Sequence, residues 1–454
     1  MWASDFLASA SDARLSGPSH QFTSVSTDTR TLQPGALYVA LHGENFDGHR
    51  FVDQAVKAGA TGILVSQSVQ AGDDITVMHV GDTLIALQQM AYTSRLEFDG
   101  PVIAVTGSNG KTTTKEMIAA VLREHFGADA VLATTGNLNN HIGVPLTLLA
   151  RKASHKVAVI EMGMNHFGEI ALLTQLTEPT IAVITNAGPA HLEGVGSLAG
   201  VAEAKGEIFA GLRAGGVAVL NADDYFLPYW KVLNRERAVT TFGLTATANV
   251  IGKSGASAGQ MLLNSHSNSS ITEIQLPVEG EHNVSNALAA TAVTRALGIS
   301  DSTIKRGLET TVNVSGRLTS RPFINGTTLI DDSYNANPAS MRAAAQVLVA
   351  HAAPRYLVLG DMGELGSTTE QLHESLATDL SKLPLDGVFT LGPKMKRVAH
   401  IFGPHGQAFD DVDSLAESLY PCLTASATLL VKGSRSMATE RVIEKLEQML
   451  RGVN

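Results

Sequence analysis

The residue types and spacing needed for phosphate chemistry occur between Val102 and Thr113, where an aliphatic run passes directly into glycines, a lysine and threonines. A loop at such a strand-to-helix junction points backbone N–H groups at an anion. The Lys111 amine can reach β- and γ-phosphates, and the Thr112 hydroxyl can bind Mg²⁺. The sequence therefore predicts a nucleoside triphosphate site. Its loop residues are Gly107, Ser108, Asn109, Gly110, Lys111, Thr112 and Thr113.

The loop departs in one place from the common pattern G-x-x-x-x-G-K-[ST], because valine stands at position 105 where the first glycine would fall. The alternative is a tight strand-to-helix turn with an exposed lysine. A strand, glycines, Lys-Thr and a helical pattern follow one another in the expected order, which favours nucleotide binding.

Two further candidates follow other aliphatic runs. Glu161 comes directly after the run 157–160, and His191 follows the run 181–185 by a few residues. A carboxylate and an imidazole at the carboxyl ends of strands could hold Mg²⁺ beside the phosphates. A lone Glu or His at a strand end is more often a surface residue or a helix cap, but together with the phosphate loop the two residues become credible metal ligands.

Helical patterns contain three more candidates. Lys205 lies in such a stretch and could be an exposed partner of an acidic residue one turn away. Asn283 and Asn286 stand at the start of an alanine-rich helix, where their amides could cap the helix or contact a base. These alternatives stay open at this point.

Seven short aliphatic runs, separated by helical patterns, predict a doubly wound α/β fold with parallel strands buried on both faces. The runs are 102–105, 157–160, 181–185, 217–220, 329–330, 356–359 and 429–431. The turn-rich texture before residue 100 and a new strand after Ser315-Gly316-Arg317 suggest a small N-terminal α/β domain (1–99), a central domain (100–314) and a C-terminal Rossmann-like domain (315–454). The Ser-, Gly- and Asn-rich segment from Ser254 to Ser270 predicts an exposed loop or hairpin.

Composition narrows the class of protein. The chain has 454 residues, 44% hydrophobic and 17% charged, which excludes wholesale disorder. Its net charge of −10 argues against binding a nucleic acid or an anionic membrane through bulk charge. The single cysteine, Cys422, can form no internal disulfide, and neither a secretory signal nor a membrane-spanning run is expected. These features predict a soluble, cytoplasmic protein.

Several segments, in this order, resemble those of the Mur ligases, the ATP-dependent amide-forming enzymes that build the peptidoglycan precursor in the bacterial cytoplasm. The segments are 106–113, 135–145, 161–164, 186–191, Glu281-His282-Asn283 with Asn286, 315–317 and 331–338. The short loop with valine at position 105 is also the family's form.

Within the family, the segments 161–165, 332–338 and 360–366 are similar to those of the branch that adds D-alanyl-D-alanine to UDP-N-acetylmuramoyl-tripeptide. The sister branch that adds diaminopimelate or lysine is the alternative. Its Asp-Asn-Pro-Arg motif is absent, and Leu391-Gly392-Pro393-Lys394 stands near that place. Whether the third residue of the tripeptide is diaminopimelate or lysine cannot be read from the sequence.

The resemblance also implies roles for individual residues. The N-terminal domain would hold the UDP end of the substrate through Ser26, Thr27, Asp28, Thr29, Arg30 and the segment from Gly43 to His49. The central domain would bind ATP, with Thr112 and Glu161 on one Mg²⁺ and His191 and a carboxylated Lys205 on a second. Asn283 and Asn286 would approach the adenine. Arg317 would approach the phosphates, and Asp332 the ribose or the phosphates. Lys432 and Arg435 are weaker candidates for a substrate carboxylate, with a solvated surface as the alternative.

The implied reaction is transfer of the γ-phosphoryl group to the tripeptide carboxylate, followed by attack of the dipeptide amine on the acyl phosphate. The C-terminal domain would bind the dipeptide and close on ATP, and the protein would act as a monomer. Two other classes remain, a nucleotide-driven switch or motor and a non-catalytic nucleotide-binding module.

Overall fold

A computed structural model describes residues 1–43, 46–245, 247–264, 271–323 and 325–452. Three larger sheets, of five, nine and six strands, follow one another along the chain and are flanked by helices. This is the three-domain α/β architecture predicted from the aliphatic runs.

The N-terminal sheet is parallel apart from one antiparallel edge strand. Its strands, in spatial order, are Arg14–Ser16, Thr76–His79, Gly62–Val65, Leu37–Val39 and Val25–Ser26. Two small pairs, Trp2–Ala3 with Gln21–Phe22 and His42–Gly43 with Phe46–Asp47, lie beside it. The helices are Ser4–Ala10, Val52–Lys57 and Thr83–Leu96.

The central sheet is parallel over its first seven strands and ends in an antiparallel extension. Its strands, in spatial order, are Val131–Ala133, Val157–Glu161, Val102–Thr106, Ile181–Ile184, Val217–Asn221, Ala238–Gly243, Val250–Ser254, Gln260–Asn264 and Ile271–Gln275. The helices are Lys111–Phe126, Gly143–Leu149, Glu169–Thr177, Leu192–Val195, Leu198–Gly206, Leu227–Leu233, Glu281–Ala296 and Asp301–Glu309. The segment predicted as a loop or hairpin supplies part of the extension, and its residues 265–270 lie outside the described ones.

The C-terminal sheet has one antiparallel edge strand and five parallel strands. The order is Thr319–Pro322, Thr328–Asp332, Thr428–Lys432, Arg355–Gly360, Gly387–Leu391 and Gly406–Phe409. The helices are Pro338–Ala350, Thr369–Leu380, Lys396–Ile401, Val412–Leu419 and Glu440–Leu450. No helix among the described residues of the chain has the length and apolarity to cross a membrane.

The N-terminal and central sheets share one continuous apolar core, to which helix Thr83–Leu96 contributes. The Trp2 indole donates to the Leu149 carbonyl at 2.7 Å. The buried Arg95 guanidinium donates to the carbonyls of Phe98, Thr177 and Glu178. Burial, the largest influence, lowers the pKa of Arg95 to about 10. The shared core and these hydrogen bonds hold the N-terminal and central domains together.

Candidate active site

The phosphate-loop strand Val102–Thr106 lies between strands Val157–Glu161 and Ile181–Ile184. The next two strands of the chain lie on one side of strand Val102–Thr106, and the strand after them lies on its other side. The strand order therefore reverses at Val102–Thr106. Ligands of open α/β sheets bind at such a point, beyond the carboxyl ends of the strands. Glu161 lies opposite Val105 in the register, which brings the predicted carboxylate beside the loop.

The loop is held from one side by residues that follow strand Ile181–Ile184. The Asn109 N–H donates to Asn186 Oδ1 at 3.0 Å, and the Thr185 hydroxyl donates to the Asn109 carbonyl at 2.6 Å. Ser108 Oγ donates to the Gly188 carbonyl and accepts from the Gly188 N–H, both at 2.9 Å. The loop is therefore fixed before a ligand binds, which lowers the ordering cost of binding.

The other side of the loop rests on helix Glu281–Ala296. Gly110 has a φ of +78°, and a Cβ there would lie 2.1 Å from Asn286 Oδ1. Asn286 Nδ2 donates to Asn283 Oδ1 at 3.0 Å, and Asn283 Nδ2 donates to the Glu279 carbonyl. Neither amide caps the helix N-terminus. The capping alternative is therefore wrong, and both residues line the cleft beside the loop.

Two lysines lie close together under the loop. Lys111 Nζ donates to the Gly107 carbonyl at 2.7 Å, and burial lowers its pKa although Glu161 opposes the shift. Lys205 is only 1% exposed, so its alternative as a solvated helix residue is wrong. Burial first, and Lys111 second, hold the pKa of Lys205 well below its usual range. Both influences disfavour the charged form of the Lys205 amine.

Glu161 is buried and held on one oxygen only. Asn139 Nδ2 donates to Glu161 Oε1 at 2.8 Å, and the Glu161 N–H donates to Thr134 Oγ1 at 2.9 Å. Glu161 Oε2 is buried without a hydrogen-bond partner among the described residues. A buried carboxylate oxygen with no partner is costly unless a ligand binds it. This oxygen fits a cation.

The facing wall of the cleft belongs to the C-terminal sheet. Asp332 and Lys432 are register partners at the ends of neighbouring strands and form a buried ion pair at 2.6 Å. Lys432 Nζ also donates to the Asn335 carbonyl at 2.8 Å, so the solvated alternative is wrong for Lys432. Arg435 is exposed and pairs with Glu440 at 2.7 Å.

Arg317 and Asn337 reach from this wall toward the central domain. The Arg317 guanidinium lies 4.3 Å from the ring centre of Tyr334, and its Nε is buried without a partner among the described residues. The Asn337 amide donates to Asn109 Oδ1 at 2.7 Å. Cationic and amide groups of the third domain thus face the phosphate loop.

These residues enclose a cleft of about 710 Å³ between the central and C-terminal domains. From the predicted set, the cleft is lined by Ser108, Asn109, Gly110, Lys111, Thr112, Thr113, Glu161, His191, Asn283, Asn286, Arg317, Asp332 and Lys432. Gly107 and Lys205 are not among the residues that line it. His191 Nδ1 is 2.7 Å from Glu364 Oε2, a close contact without an aligned hydrogen bond among the described residues.

The predicted N-terminal residues lie apart from this cleft, in two groups. Asp28 accepts from Arg30, whose hydrogen bond lowers the pKa of Asp28 to about 2. His49 Nδ1 bonds Asp47 at 2.7 Å, and its Nε2 accepts from the Ser66 N–H. Of the remaining residues, Ser26 Oγ donates to the Asp28 carbonyl, Thr27 and Thr29 lie in the same turn, and Gly43 pairs with Phe46. Glu44 and Asn45 lie outside the described residues.

No group of three or more His, Cys, Asp and Glu side chains suited to a metal ion occurs within the described ranges. Mg²⁺ in phosphate-transfer sites is commonly held by one or two carboxylates together with substrate oxygens and water. Glu161 Oε2 and the Thr112 hydroxyl meet that requirement.

The sequence reasoning assigned no individual role to Asn139, Asn337 or Glu364. All three lie in segments that carried the family resemblance, but an Asn or Glu after a strand has no distinctive pattern of its own. Their partners lie on distant parts of the chain. Only the assembled strand ends reveal what they contact.

Three regions of the chain match models of known protein families. Family models match residues 21–100 (Mur ligase family, catalytic domain), 105–294 (Mur ligase middle domain) and 316–435 (Mur ligase, glutamate ligase domain). The UDP-N-acetylmuramoyl-tripeptide–D-alanyl-D-alanine ligase of Escherichia coli K12 is 40% identical over 446 residues, which cover 96% of each chain.

Solved structures superpose on nearly the whole chain. A crystal structure of MurF from Acinetobacter baumannii superposes with a TM-score of 0.89 at 34% identity, covering 98% of this chain and 99% of that one. MurF from Thermotoga maritima in complex with ADP gives 0.81 at 29% identity, covering 95% and 98%. With its three family models matched in chain order and a relative aligned along nearly its whole length, the chain belongs to the Mur ligase family.

Proposed function

We propose that this ATP-dependent ligase joins D-alanyl-D-alanine to UDP-N-acetylmuramoyl-tripeptide, giving the pentapeptide, ADP and phosphate. The observation that carries the proposal is the cleft between two domains, where Lys111 and Glu161 meet Arg317 and Asp332. The relatives of known name support the choice of substrates over the diaminopimelate- or lysine-adding alternative. The same relatives disfavour a nucleotide-driven switch or motor, because they are named as ligases.

The protein's first task is to make the tripeptide carboxylate reactive, because a carboxylate is a poor electrophile. A carboxylate oxygen attacks the γ-phosphorus of ATP, the bond from that phosphorus to the β-γ bridging oxygen breaks, and ADP departs. Lys111, the loop N–H groups and Arg317 offset the negative charge that spreads over the phosphoryl oxygens. Asn283 and Asn286 are assigned to the adenine, and Asp332 to the ribose or phosphates.

The second task is amide formation. The dipeptide amine attacks the acyl carbon, a tetrahedral intermediate forms, and phosphate leaves as the carbon–oxygen bond breaks. The proton that the amine loses in this step is taken up by the departing phosphate, which is released as hydrogen phosphate. Because acyl phosphates hydrolyse, the cleft must exclude water, and we propose that the C-terminal domain closes over it. Scattering with and without nucleotide and substrate should report that closure.

Mg²⁺ would be held by Thr112 and Glu161, with His191 and Lys205 supporting a second ion. Bound there, it would neutralise phosphate charge. The partnerless Glu161 Oε2 supports the first position. For the second, Lys205 must become an oxygen ligand. Burial, and next to it Lys111, lower the pKa of Lys205 and so disfavour its charged form, and the uncharged amine is the form that adds CO₂ to give a carbamate.

The domain division 1–99, 100–314 and 315–454 completes the proposal, with the UDP end of the substrate on the first part and the dipeptide on the third. Ser26, Thr27, Asp28, Arg30, Gly43 and His49 are assigned to the UDP end. We further propose that the protein works as a cytoplasmic monomer.

The test is phosphate release by the full chain with ATP and Mg²⁺, in the presence of tripeptide substrate, dipeptide, both or neither, with product masses read in parallel. Release together with a pentapeptide mass only when both are present is expected. Release with neither substrate, and no new amide, would favour the switch or motor. Diaminopimelate or lysine accepted in place of the dipeptide, on a shorter precursor, would favour the sister branch.

A further inference from the structure

We infer that Glu364 binds the ammonium group of the incoming dipeptide and so positions its nitrogen on the C-terminal side of the cleft, where the group gives up one proton to solvent before its lone pair attacks. The inference rests on the proposed function and adds to it a specific residue for the second substrate. It follows from the acidic groups of the cleft, the backbone at Glu364 and the place of this residue in the fold.

The incoming substrate needs a carboxylate partner. An α-amino group has a pKa of about 8, so at neutral pH the dipeptide arrives largely as a cation. The cleft contains the cations Lys111 and Arg317, which are assigned to the phosphates, and Lys432, which is paired with Asp332. A carboxylate without such a partner is the group that can receive an ammonium there.

Among the described residues, four acidic side chains line the cleft, and three of them have other partners. Glu161 bonds Asn139 and offers its second oxygen to a cation beside the phosphates. Asp332 is neutralised by Lys432 at 2.6 Å. Glu169, on the central domain, accepts from the Asn165 N–H at 2.7 Å and lies 3.3 Å from His166. The fourth is Glu364.

Glu364 differs from these three in its exposure. Its side chain is 56% exposed, and its one charged contact is the unaligned approach to His191, among the residues that the structure describes. An exposed carboxylate with a poorly aligned partner can take up a ligand at little cost. Its distance from His191 also puts it next to the predicted catalytic groups.

The backbone at Glu364 is held in an unusual conformation. Its φ of +62° lies in the left-handed region, which costs energy for a residue other than glycine. The Glu193 N–H of the central domain donates to the Glu364 carbonyl at 3.3 Å. The strained corner is thus docked on the turn that carries His191. Such strain is concentrated at functional positions because it aims a side chain where a relaxed backbone would not.

The position in the fold agrees with this role. Glu364 follows strand Arg355–Gly360, at the carboxyl edge of the C-terminal sheet. The phosphate loop and Glu161 belong to the opposite wall, where ATP and the tripeptide carboxylate are assigned. A second substrate that must attack the activated carboxylate has to approach from the wall that contains Glu364.

The experiment compares the full-length wild type with E364Q and E364D, using E370Q as the matched control. Glu370 lies on the same domain, is 80% exposed and pairs with Arg397 outside the cleft. For E364Q, we expect KM for D-alanyl-D-alanine to rise by about 10- to 100-fold, because a hydrogen bond to a charged group is lost. For E364D, KM for D-alanyl-D-alanine should lie between the values of the wild type and E364Q. In both Glu364 variants, KM for ATP should change by less than about twofold.

A second readout separates this role from an effect on the first reaction step or on domain closure. Hydroxylamine is a small, uncharged nucleophile that traps the acyl phosphate as a hydroxamate without the dipeptide. E364Q should form hydroxamate at the wild-type rate. N-acetyl-D-alanyl-D-alanine, which lacks the ammonium group, should inhibit wild type and E364Q equally.

An unchanged KM for the dipeptide in a folded E364Q protein overturns the inference. So does a parallel loss of hydroxamate formation, which would make Glu364 a part of the first step or of closure. If the wild type forms hydroxamate but no pentapeptide, or neither product, the proposed function fails and the inference fails with it.

Discussion

The side chains of Asn109 and Asn337 meet across the cleft, with Asn337 Nδ2 2.7 Å from Asn109 Oδ1. Asn109 belongs to the phosphate loop, whereas Asn337 is the N-cap of helix Pro338–Ala350 and accepts from the Ser340 N–H at 2.9 Å. One amide therefore starts a helix of the third domain and contacts the nucleotide loop of the second. A bound nucleotide can influence the third domain through this contact.

Substitutions of Asn337 should separate these two tasks. N337A removes both, and we expect it to lower the free energy of unfolding by about 1 kcal/mol through the lost cap. N337S keeps a capping hydroxyl but cannot reach Asn109, so its stability should stay near wild type. KM for ATP should rise in both variants. Thermal unfolding and steady-state kinetics check this, and an unchanged KM in N337S would show that the contact plays no part in nucleotide binding.

The contact between Asn139 and Glu161 leads to a prediction about magnesium. N139A should raise the Mg²⁺ concentration for half-maximal activity by about 10- to 100-fold, because groups that orient a metal ligand commonly have effects of that size. N249A, which removes an exposed Asn bonded to Thr241, is the control. A magnesium titration that is unchanged in N139A would remove Glu161 from the proposed site.

Lys111 and Lys205 show how much of the site could be predicted from the sequence. Lys111 is predictable because a local pattern of strand, glycines and helix defines its surroundings. Lys205 has no such pattern, and its burial depends on how helix Leu198–Gly206 packs against the sheet. The aliphatic runs likewise predicted parallel strands. The new strand expected after Ser315-Gly316-Arg317 is Thr319–Pro322, whose short, polar sequence gave no hint that it pairs in the antiparallel direction at the sheet edge.

The same contrast applies to the ion pair of Asp332 and Lys432. Their separation of one hundred positions gives no hint of contact, and both were assigned to ligands. They become neighbours because strand Thr428–Lys432, the last in the chain, inserts beside strand Thr328–Asp332. Strand order, which one sequence does not specify, decides which strand-end residues pair with each other and which stay available to a substrate.

Carbamate formation on Lys205 should make activity depend on CO₂. We expect activity to fall in buffer depleted of CO₂ and to return when bicarbonate is added, because the neutral amine exchanges CO₂ reversibly. K205M should be inactive with or without bicarbonate, and K231M, on an exposed helix position, should behave as wild type. Mass spectrometry of the intact protein at neutral pH should show an added CO₂. Full activity in depleted buffer without that mass would exclude the modification.

His282 should make stability depend on pH. Burial, with a smaller contribution from Lys432, lowers the pKa of His282 from 6.5 to about 4. Between these values the unfolded chain binds a proton that the folded chain does not. The contribution of His282 to the free energy of unfolding is therefore fully present above pH 6.5. It decreases as the pH drops towards 4, by at most about 1.4 kcal/mol per pH unit. Denaturant unfolding of wild type and H282Q at several pH values should show a smaller decrease in the variant. Equal decreases would mean that His282 protonates normally in the folded protein.

Arg95 provides the last prediction, which concerns the joint between the first two domains. Its guanidinium bonds three carbonyls, two of them at the end of helix Glu169–Thr177 in the central domain. R95M keeps much of the side-chain volume but leaves these carbonyls without their donor, so we expect a loss of about 2–4 kcal/mol in the free energy of unfolding. The R95K amine can donate to only some of these carbonyls, so the loss in the free energy of unfolding should be smaller than in R95M. R50M, at an exposed position of the N-terminal domain, should unfold as wild type does. Urea unfolding measures all three variants. If R95M were as stable as the control, the continuous apolar core alone would hold the two domains together.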